Sequence, residues 1–230
     1  MALRVEYIDL GEMSYSTCWE YQQRLFEAMK TRKLQGIESE LAGTIIMVEH
    51  PAVYTLGKSG KADNMLISKS AIEAMGAEYY HIDRGGDITF HGTGQIVCYP
   101  ILDLEMLGIS LKEYIGALEQ AAITTAAHYG VATERLEGAA GVWIAEQGTT
   151  IRRKICAIGV KSSRYITMHG MAFNVNTDLS YFEKINPCGM ADKRATSLAE
   201  LLDREVSMEE TKELLLNNLS KIINVKIYKK

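Results

Sequence analysis

The sequence predicts an α+β fold in which a mixed or antiparallel sheet is flanked by helices. Strand-like and helix-like segments follow one another without the regular β-α-β alternation that builds an all-parallel sheet. Three serine-initiated capping boxes mark helix starts, and short apolar runs between glycines and prolines mark strands. No linker or repeat divides the 230 residues, which are enough for one sizeable core. We therefore expect a single domain spanning 1–230.

Hydrophobic spacing assigns the elements along the chain. The clearest helix is 110–129, which begins at the capping box Ser110-x-x-Glu113 and ends at Gly130. Two further capping boxes, Ser197-x-x-Glu200 and Ser207-x-x-Glu210, begin the C-terminal helices. The remaining expected helices are 14–33 and 68–75, and the expected strands are 4–10, 43–49, 78–83, 95–102, 132–136, 142–145, 154–160, 164–175 and an edge strand at 225–228.

The segment 84–104 carries four glycines among β-forming residues, at 85, 86, 92 and 94. It is not a dinucleotide-binding fingerprint, because Val97 occupies the place of the third glycine and a strand follows instead of a helix. The pattern predicts one strand with two glycine breaks, where another backbone or an extended ligand approaches closely.

Composition excludes several classes of function. The net charge of −4 gives no reason to expect nucleic acid or an anionic membrane as a partner. Charges in the first ten residues argue against a secretory signal, and no apolar run is long enough to span a membrane, so we expect a cytoplasmic protein. The five histidines lack the spacing of a metal site, and there is no phosphate-binding loop. We expect neither a metal nor a cofactor.

A cysteine nucleophile is the remaining option, and Cys188 is the candidate. It lies between Pro187 and Gly189, which indicates an irregular, accessible turn. A free thiol titrates near ~8.5 and needs a neighbouring base or cation to react at neutral pH. Lys154, at the mouth of the apolar strand KICAIG, could supply one. The residues alone leave open whether Lys154 merely ends a solvated basic run.

Other polar residues are weaker candidates for a functional role. His91 and His169, each followed by glycine, can equally be structural or functional. Asn174 and Asn176 would share one face of a strand, where their amides could bind a substrate amide or carbonyl. A cysteine hydrolase using His169 as base and Asn174 as its orienting partner is therefore an open alternative.

The chain resembles the octanoyltransferase family of lipoate biosynthesis. The resemblance rests on EHPAVYTLG (49–57), RGGDITFHGTGQIVCYPILDL (84–104), GVWI (141–144), KICAIGVKSSRYITMHGMAFNVNTDLSYF (154–182), INPCG (185–189) and TSL (196–198). These segments occur in the family's order. The resemblance implies a lipoate/biotin protein ligase-like catalytic fold and an acyltransferase that needs no cofactor.

The family's reaction implies roles for particular residues. Octanoyl passes from acyl carrier protein to a cysteine, matched by Cys188 with Lys154 as its partner, and then to a lysine of a lipoyl domain in a 2-oxoacid dehydrogenase or the glycine cleavage H protein. His169 and Asn174 are supporting residues. We expect a monomer. The residues that match acyl-contacting segments are Arg84, Gly85, Gly86, Asp87, Ile88, Thr89, Phe90, His91, Ala157, Ile158, Gly159, Gly170, Met171 and Ala172.

The acidic carrier protein requires a local basic patch on this enzyme. Its candidates are Arg152, Arg153, Lys161, Arg164, Lys193 and Arg194. Two alternative functions stay open. The first is an ATP-dependent lipoate–protein ligase of the same fold, which would need no nucleophile. The second is a catalytically silent homologue that binds acyl groups or lipoyl domains, which would not need the Cys188/Lys154 pair.

Overall fold

The computed structural model describes residues 3–146, 148–186 and 193–229. Within these ranges the helices are α1 (Tyr15–Leu34), α2 (Lys69–Ala74), α3 (Leu104–Leu107), α4 (Leu111–His128), α5 (Leu198–Leu202) and α6 (Met208–Ile222). The strands are β1 (Leu3–Glu12), β2 (Leu41–Glu49), β3 (Val53–Leu56), β4 (Glu78–His81), β5 (Ile88–His91), β6 (Gln95–Leu102), β7 (Glu134–Leu136), β8 (Ala139–Ala145), β9 (Arg152–Ser163), β10 (Ile166–Asn174), β11 (Lys193–Ala195) and β12 (Val225–Lys229). Short 3₁₀ helices occupy Ala62–Asn64 and Leu179–Lys184.

A nine-stranded mixed sheet forms the framework, in the order β12-β1-β2-β6-β10-β9-β8-β7 with β11 beside β9. The first three strands are parallel to one another, and the steps from β2 through β7 are antiparallel. Helices α4 and α6 cover one face and α1 covers the other, each over its own apolar core. The predicted α+β class is confirmed, and β12 is the edge strand that the sequence indicates.

The helix predictions are confirmed with small shifts at the ends. Ser110 and Glu113 form a reciprocal capping box at the start of α4. Ser197 and Ser207 cap α5 and α6 by accepting the backbone N–H of Glu200 and Glu210. The carboxylate of Glu200 accepts the hydroxyl of Thr196. No helix in the described part of the chain is long and apolar enough to cross a membrane.

The prediction of one glycine-broken strand across 84–95 is wrong. The chain turns at Gly92–Gly94, and β5 and β6 belong to different sheets. Gly94 has φ +78°, and a side chain there would lie 2.7 Å from the backbone of Asn176, so the turn requires glycine. Strand β5 pairs with β3, and β3 with β4, which gives a second, three-stranded sheet beside the large one.

Candidate functional site

A cavity of about 760 Å³ lies between the small sheet and the α1 side of the large sheet. It is lined by fourteen of the predicted substrate-contacting and supporting residues, together with Lys154. These fourteen are Arg84, Gly86, Asp87, Ile88, Thr89, His91, Ala157, Ile158, Gly159, His169, Gly170, Met171, Ala172 and Asn174. Gly85 and Phe90 are not part of the wall, and Cys188 lies outside the described residues. Tertiary folding thus brings together segments that are up to 90 positions apart.

A β-bulge turns Lys154 into this cavity. Val142 pairs with Cys156, but the next residue of β8, Trp143, pairs with Lys154, so Ile155 is the extra residue of β9. Ordinary alternation would place Lys154 on the same face as Cys156, which is buried in the core under α4. The extra residue reverses the alternation, and the lysine joins the cavity wall.

Trp143 supports the lysine from the neighbouring strand. The Lys154 Nζ lies 4.3 Å from the centroid of the Trp143 ring, a cation–π contact. The ring is 2% exposed, and its Nε1–H donates to the carbonyl of Ala139 at 3.1 Å. Gly141 makes room for the bulge, because a Cβ there would lie 2.5 Å from the Cys156 carbonyl. Trp143 and Gly141 fall within the GVWI motif, but pattern alone had assigned them no role.

Arg84 ties strand β3 of the small sheet to the glycine-rich segment at the cavity. Its Nη2 donates to the carbonyl of Thr55 at 2.6 Å and to the Thr55 hydroxyl at 3.0 Å, and its Nη1 donates to the carbonyl of Gly85 at 3.0 Å. Burial lowers the pKa of the guanidinium. Arg84 lines the cavity, but most of its donors hold β3 and the glycine-rich segment in place.

Asp87 ties the glycine-rich segment to the chain that leads to Cys188. Its Oδ1 accepts the backbone N–H of Ile88 at 2.7 Å, and its Oδ2 accepts the amide of Asn64 at 2.5 Å. The Asn64 carbonyl in turn accepts the N–H of Asn186 at 2.8 Å, and Met65 forms a bridge with Ile185. Asn64 therefore connects the two predicted motifs, and no sequence pattern pointed to it.

A chain of hydrogen bonds crosses the floor of the cavity from His91 to the strand of Lys154. His91 Nδ1 donates to the Gln95 side-chain oxygen at 2.8 Å, and the Gln95 amide donates to Asn174 Oδ1 at 2.8 Å. The Asn174 amide donates to the Thr196 carbonyl at 2.9 Å, and the Thr196 N–H donates to the Lys154 carbonyl. Burial lowers the pKa of His91 to about 3, so the ring is neutral.

The expected polar face of paired asparagines is only half correct. Asn174 faces the cavity, but its amide N–H and its carbonyl both bind protein partners. Asn176 lies beyond the end of β10, where its side chain holds the backbone of Val206 at 2.8 and 3.0 Å. The strand ends at Asn174, two residues before Asn176, so the alternation does not continue to it.

His169 is buried at the other end of the cavity, in a left-handed conformation with φ +61°. Its Nε2 lies 3.2 Å from Asp83 Oδ1, and Asp83 also pairs with Lys161. Hydrogen bonds from His169 and then Lys161 hold the pKa of Asp83 well below its usual range. Burial lowers the pKa of His169 despite the carboxylate, so the neutral ring donates Nε2–H to Asp83.

The predicted basic patch is partly neutralised. Arg152 pairs with Glu134 at 3.1 Å and Arg153 with Glu200 at 3.7 Å, while Lys161 pairs with Asp83. Arg164 and Arg194 are exposed, and Lys193 reaches into the cavity. The described residues contain no group of three or more metal-binding side chains.

The cysteines of the described part of the chain are free and buried: Cys18, Cys98 and Cys156. Burial raises the pKa of Cys18 and of Cys98 to about 12 and raises that of Cys156 further. None of the three thiols is poised to react at neutral pH. Both Cys18 and Cys98 are core residues.

Comparison with known proteins agrees with this architecture. Residues 14–220 match the family model described as "Lipoyl protein ligase A/B catalytic domain". Lipoate-protein ligase A bound with ATP superimposes with a TM-score of 0.69 over 100% of this chain and 89% of that one, at 13% identity. A bi-partite lipoate protein ligase from Thermoplasma acidophilum, studied with its E2 lipoyl domain, gives a TM-score of 0.70 over 100% and 87% at 12% identity. The fold is therefore that of the lipoate–protein ligases.

The sequence relatives define the chain more narrowly. An octanoyltransferase from Bacteroides thetaiotaomicron is 50% identical over 225 residues, which covers 97% of each chain. The chain therefore belongs to the octanoyltransferase family, within the lipoyl protein ligase A/B catalytic domains. The resemblance detected from the motifs is confirmed, and the class of protein is an acyltransferase.

Proposed function

We propose that this chain transfers octanoyl from octanoyl-acyl carrier protein to a lysine of lipoyl domains, through a thioester on Cys188. The observation that carries the proposal is the position of Lys154, which a bulge turns into a cavity wall. The residues on both sides of 187–192 line the same cavity: Ile185 and Asn186 before it, and Lys193 after it. The other three cysteines are buried thiols with raised pKa values, so Cys188 is the candidate nucleophile.

The reaction proceeds in two acyl transfers. Lys154 accepts the thiol proton of Cys188, and the thiolate attacks the carbonyl carbon of the octanoyl thioester. The carrier's sulfur leaves and takes the proton from Lys154, which leaves octanoyl on Cys188. The neutral amine of the acceptor lysine then attacks this thioester, an amide forms, and Cys188 leaves as the thiol. Exchange between thioesters is nearly balanced and amide formation is downhill, so ATP is not required.

The cavity suits a medium-length acyl chain. Gly86, Gly159 and Gly170 bring backbone to its wall, while Val97, Ala157 and Ala172 add apolar surface. Each buried methylene contributes about 0.8 kcal/mol to binding. The bulge places Lys154 on the wall beside Trp143, where the reacting carbonyl would lie with the acyl chain extending toward His169.

The acceptors we propose are the lipoyl domains of 2-oxoacid dehydrogenases and the glycine cleavage H protein. A lipoate–protein ligase of the same fold has been studied with its E2 lipoyl domain, which supports a lipoyl domain as the acceptor class. We further propose that residues 1–230 act as one domain, as a monomer and in the cytoplasm.

Intact-mass measurement tests the covalent step. The wild-type chain is incubated with octanoyl-acyl carrier protein, and an octanoyl adduct is expected that is absent from Cys188→Ala. Lys154→Met is expected to slow adduct formation by roughly 10²–10⁴-fold, the usual contribution of a general base. Cys18→Ala is the matched control and should be acylated like the wild type, because Cys18 is fully buried on the core face of α1. A wild-type chain that never acquires the adduct would refute the mechanism.

A separate experiment tests the hypothesis that the protein is an ATP-dependent ligase. A neighbour in fold binds ATP, so free octanoate with ATP is supplied in place of the carrier thioester. If a lipoyl domain is modified under those conditions, and if Cys188→Ala retains this activity, the protein is a ligase. Absence of modification from either donor would favour the silent binding homologue.

A further inference from the structure

Trp143 contacts a second lysine besides Lys154. The Lys193 Nζ lies 5.3 Å from the centroid of the same indole ring, against 4.3 Å for Lys154. The two ammonium groups are therefore within about 10 Å of each other. Both lysines line the cavity, and Trp143 is held rigidly by burial and by its bond to Ala139.

Strand register explains why Lys193 faces the cavity. Strand β11 runs parallel to β9, with Ala195 beside Lys154 and Lys193 beside Arg152. Because side chains alternate along a strand, Lys193 lies on the same face as Ala195 and diagonally next to Lys154. The β9 bulge therefore determines which cations share the cavity wall.

We propose that Lys193 is a positioning residue for the acyl-transfer site, where its charge, held against Trp143, lowers the proton affinity of the groups that must lose a proton. The inference rests on the proposed function and adds a residue to it. A nearby cation disfavours the protonated form of both an ammonium and a thiol. The effect has the same sign whether the pH profile reports Lys154, Cys188 or the coupled pair.

Two carboxylates near the lysines, Glu119 and Glu200, are each paired with an arginine. Glu119 accepts the Gly141 N–H at 3.1 Å and pairs with Arg135 at 3.0 Å. Glu200 accepts the Thr196 hydroxyl and pairs with Arg153. The titratable and charged groups around the two lysines in the described part of the chain are Glu119, Glu134, Arg135, Arg152, Arg153, Cys156, Glu183, Arg194 and Glu200.

The test is the pH dependence of acylation by octanoyl-pantetheine, a small thioester that needs no docking of the carrier protein. The acid limb of the pH–rate profile is the pH range in which acylation slows because the reacting groups become protonated. In Lys193→Met and Lys193→Gln this limb is expected to move to higher pH by on the order of one unit. Lys193→Arg, which keeps the charge, should retain the wild-type limb. Lys226→Met is the matched control, because Lys226 also lies over an aromatic ring, Tyr228, but on the opposite edge strand.

The outcomes separate this inference from the function on which it rests. An unmoved acid limb in Lys193→Met and Lys193→Gln overturns it, even if the KM for octanoyl-acyl carrier protein rises, because Lys193 would then serve only in docking. A limb that moves equally in Lys193→Arg also overturns it, since the charge would not be the cause. If the wild-type chain forms no acyl adduct with either thioester, the proposed function itself fails.

Discussion

Substitution of Gly170 tests whether this residue serves folding or substrate binding in the cavity. Motif matching predicts that it contacts the acyl chain, and it does line the cavity. However, a Cβ on Gly170 would lie 2.1 Å from the carbonyl oxygen of Cys98 and 2.8 Å from Pro100 Cδ. Both obstacles belong to β6, which pairs with β10 at the centre of the large sheet. We therefore expect Gly170→Ala to disrupt the packing of two central strands.

The size of the effect follows from the distance. Separations under 3.0 Å are essentially never seen for real Cβ atoms, so β10 and β6 would have to move apart by about an ångström. Overpacking a core costs about 1–3 kcal/mol, and here the obstacle is backbone, which cannot rotate away. We expect a loss of about 3 kcal/mol or more, equivalent to roughly a 10 °C fall in Tm for a chain of this size.

Urea unfolding followed by circular dichroism measures this change. Gly116→Ala in α4 is the control, because nothing lies within 4 Å of its added Cβ and alanine favours a helix by about 0.5–1 kcal/mol. The two glycine-to-alanine changes should therefore shift the unfolding midpoint in opposite directions. A wild-type midpoint for Gly170→Ala, together with slower acylation, would refute the packing argument and restore Gly170 as a substrate contact.

Three further predictions concern pH, the Asn64 connection and the bulge. Burial lowers the pKa of His50 to about 4 and of His91 to about 3, so below pH 6.5 these histidines bind protons in the unfolded chain but not in the folded one. The free energy of unfolding should therefore fall as pH drops below about 6.5, by roughly 1.4 kcal/mol per histidine at pH 5.5. If His91→Asn left the slope of unfolding free energy against pH unchanged, the prediction would be contradicted. Asn64→Ala, which removes the hydrogen bond to Asp87, should slow acylation severalfold and lower the free energy of unfolding by about 1–3 kcal/mol. If the variant were acylated at the wild-type rate, the Asn64 connection would not position the chain before Cys188. Gly141→Ala should abolish acylation or folding because its Cβ would meet the Cys156 carbonyl at 2.5 Å, and normal acylation in a stably folded variant would argue against the bulge.

Local patterns predicted much of the secondary structure. The boundaries of α1 and α4 were correct to within one residue at each end, because a serine cap and an apolar stripe are encoded over a few turns. The prediction of one glycine-broken strand across 84–95 failed for the opposite reason, although the strand predicted at 95–102 coincides with β6. The β-forming residues of this segment are continuous in sequence, and only the turn at Gly92–Gly94 assigns β5 and β6 to different sheets.

The roles of individual site residues were less predictable. The sequence indicated that close approach requires glycines around 85–94, but not that Gly94 meets the backbone of Asn176. Arg84, Asp87 and Asn174 belong to the predicted site, and the hydrogen bonds described above join parts of the protein to one another. A motif records that a residue is needed and does not say whether a ligand or a neighbouring strand needs it.

By itself, the sequence determined the α+β class, the main helices and the family, and it singled out Lys154 and Cys188 as a candidate pair. These depend on short-range periodicity, capping and contiguous motifs. The orientation of Lys154 toward the cavity could not be predicted in this way, because it depends on the register between β8 and β9 and on the one-residue bulge at Ile155. The same register places Trp143 and Lys193 beside it. A shift of one residue in pairing reverses every side chain of a strand, and nothing local in the sequence records which register is adopted.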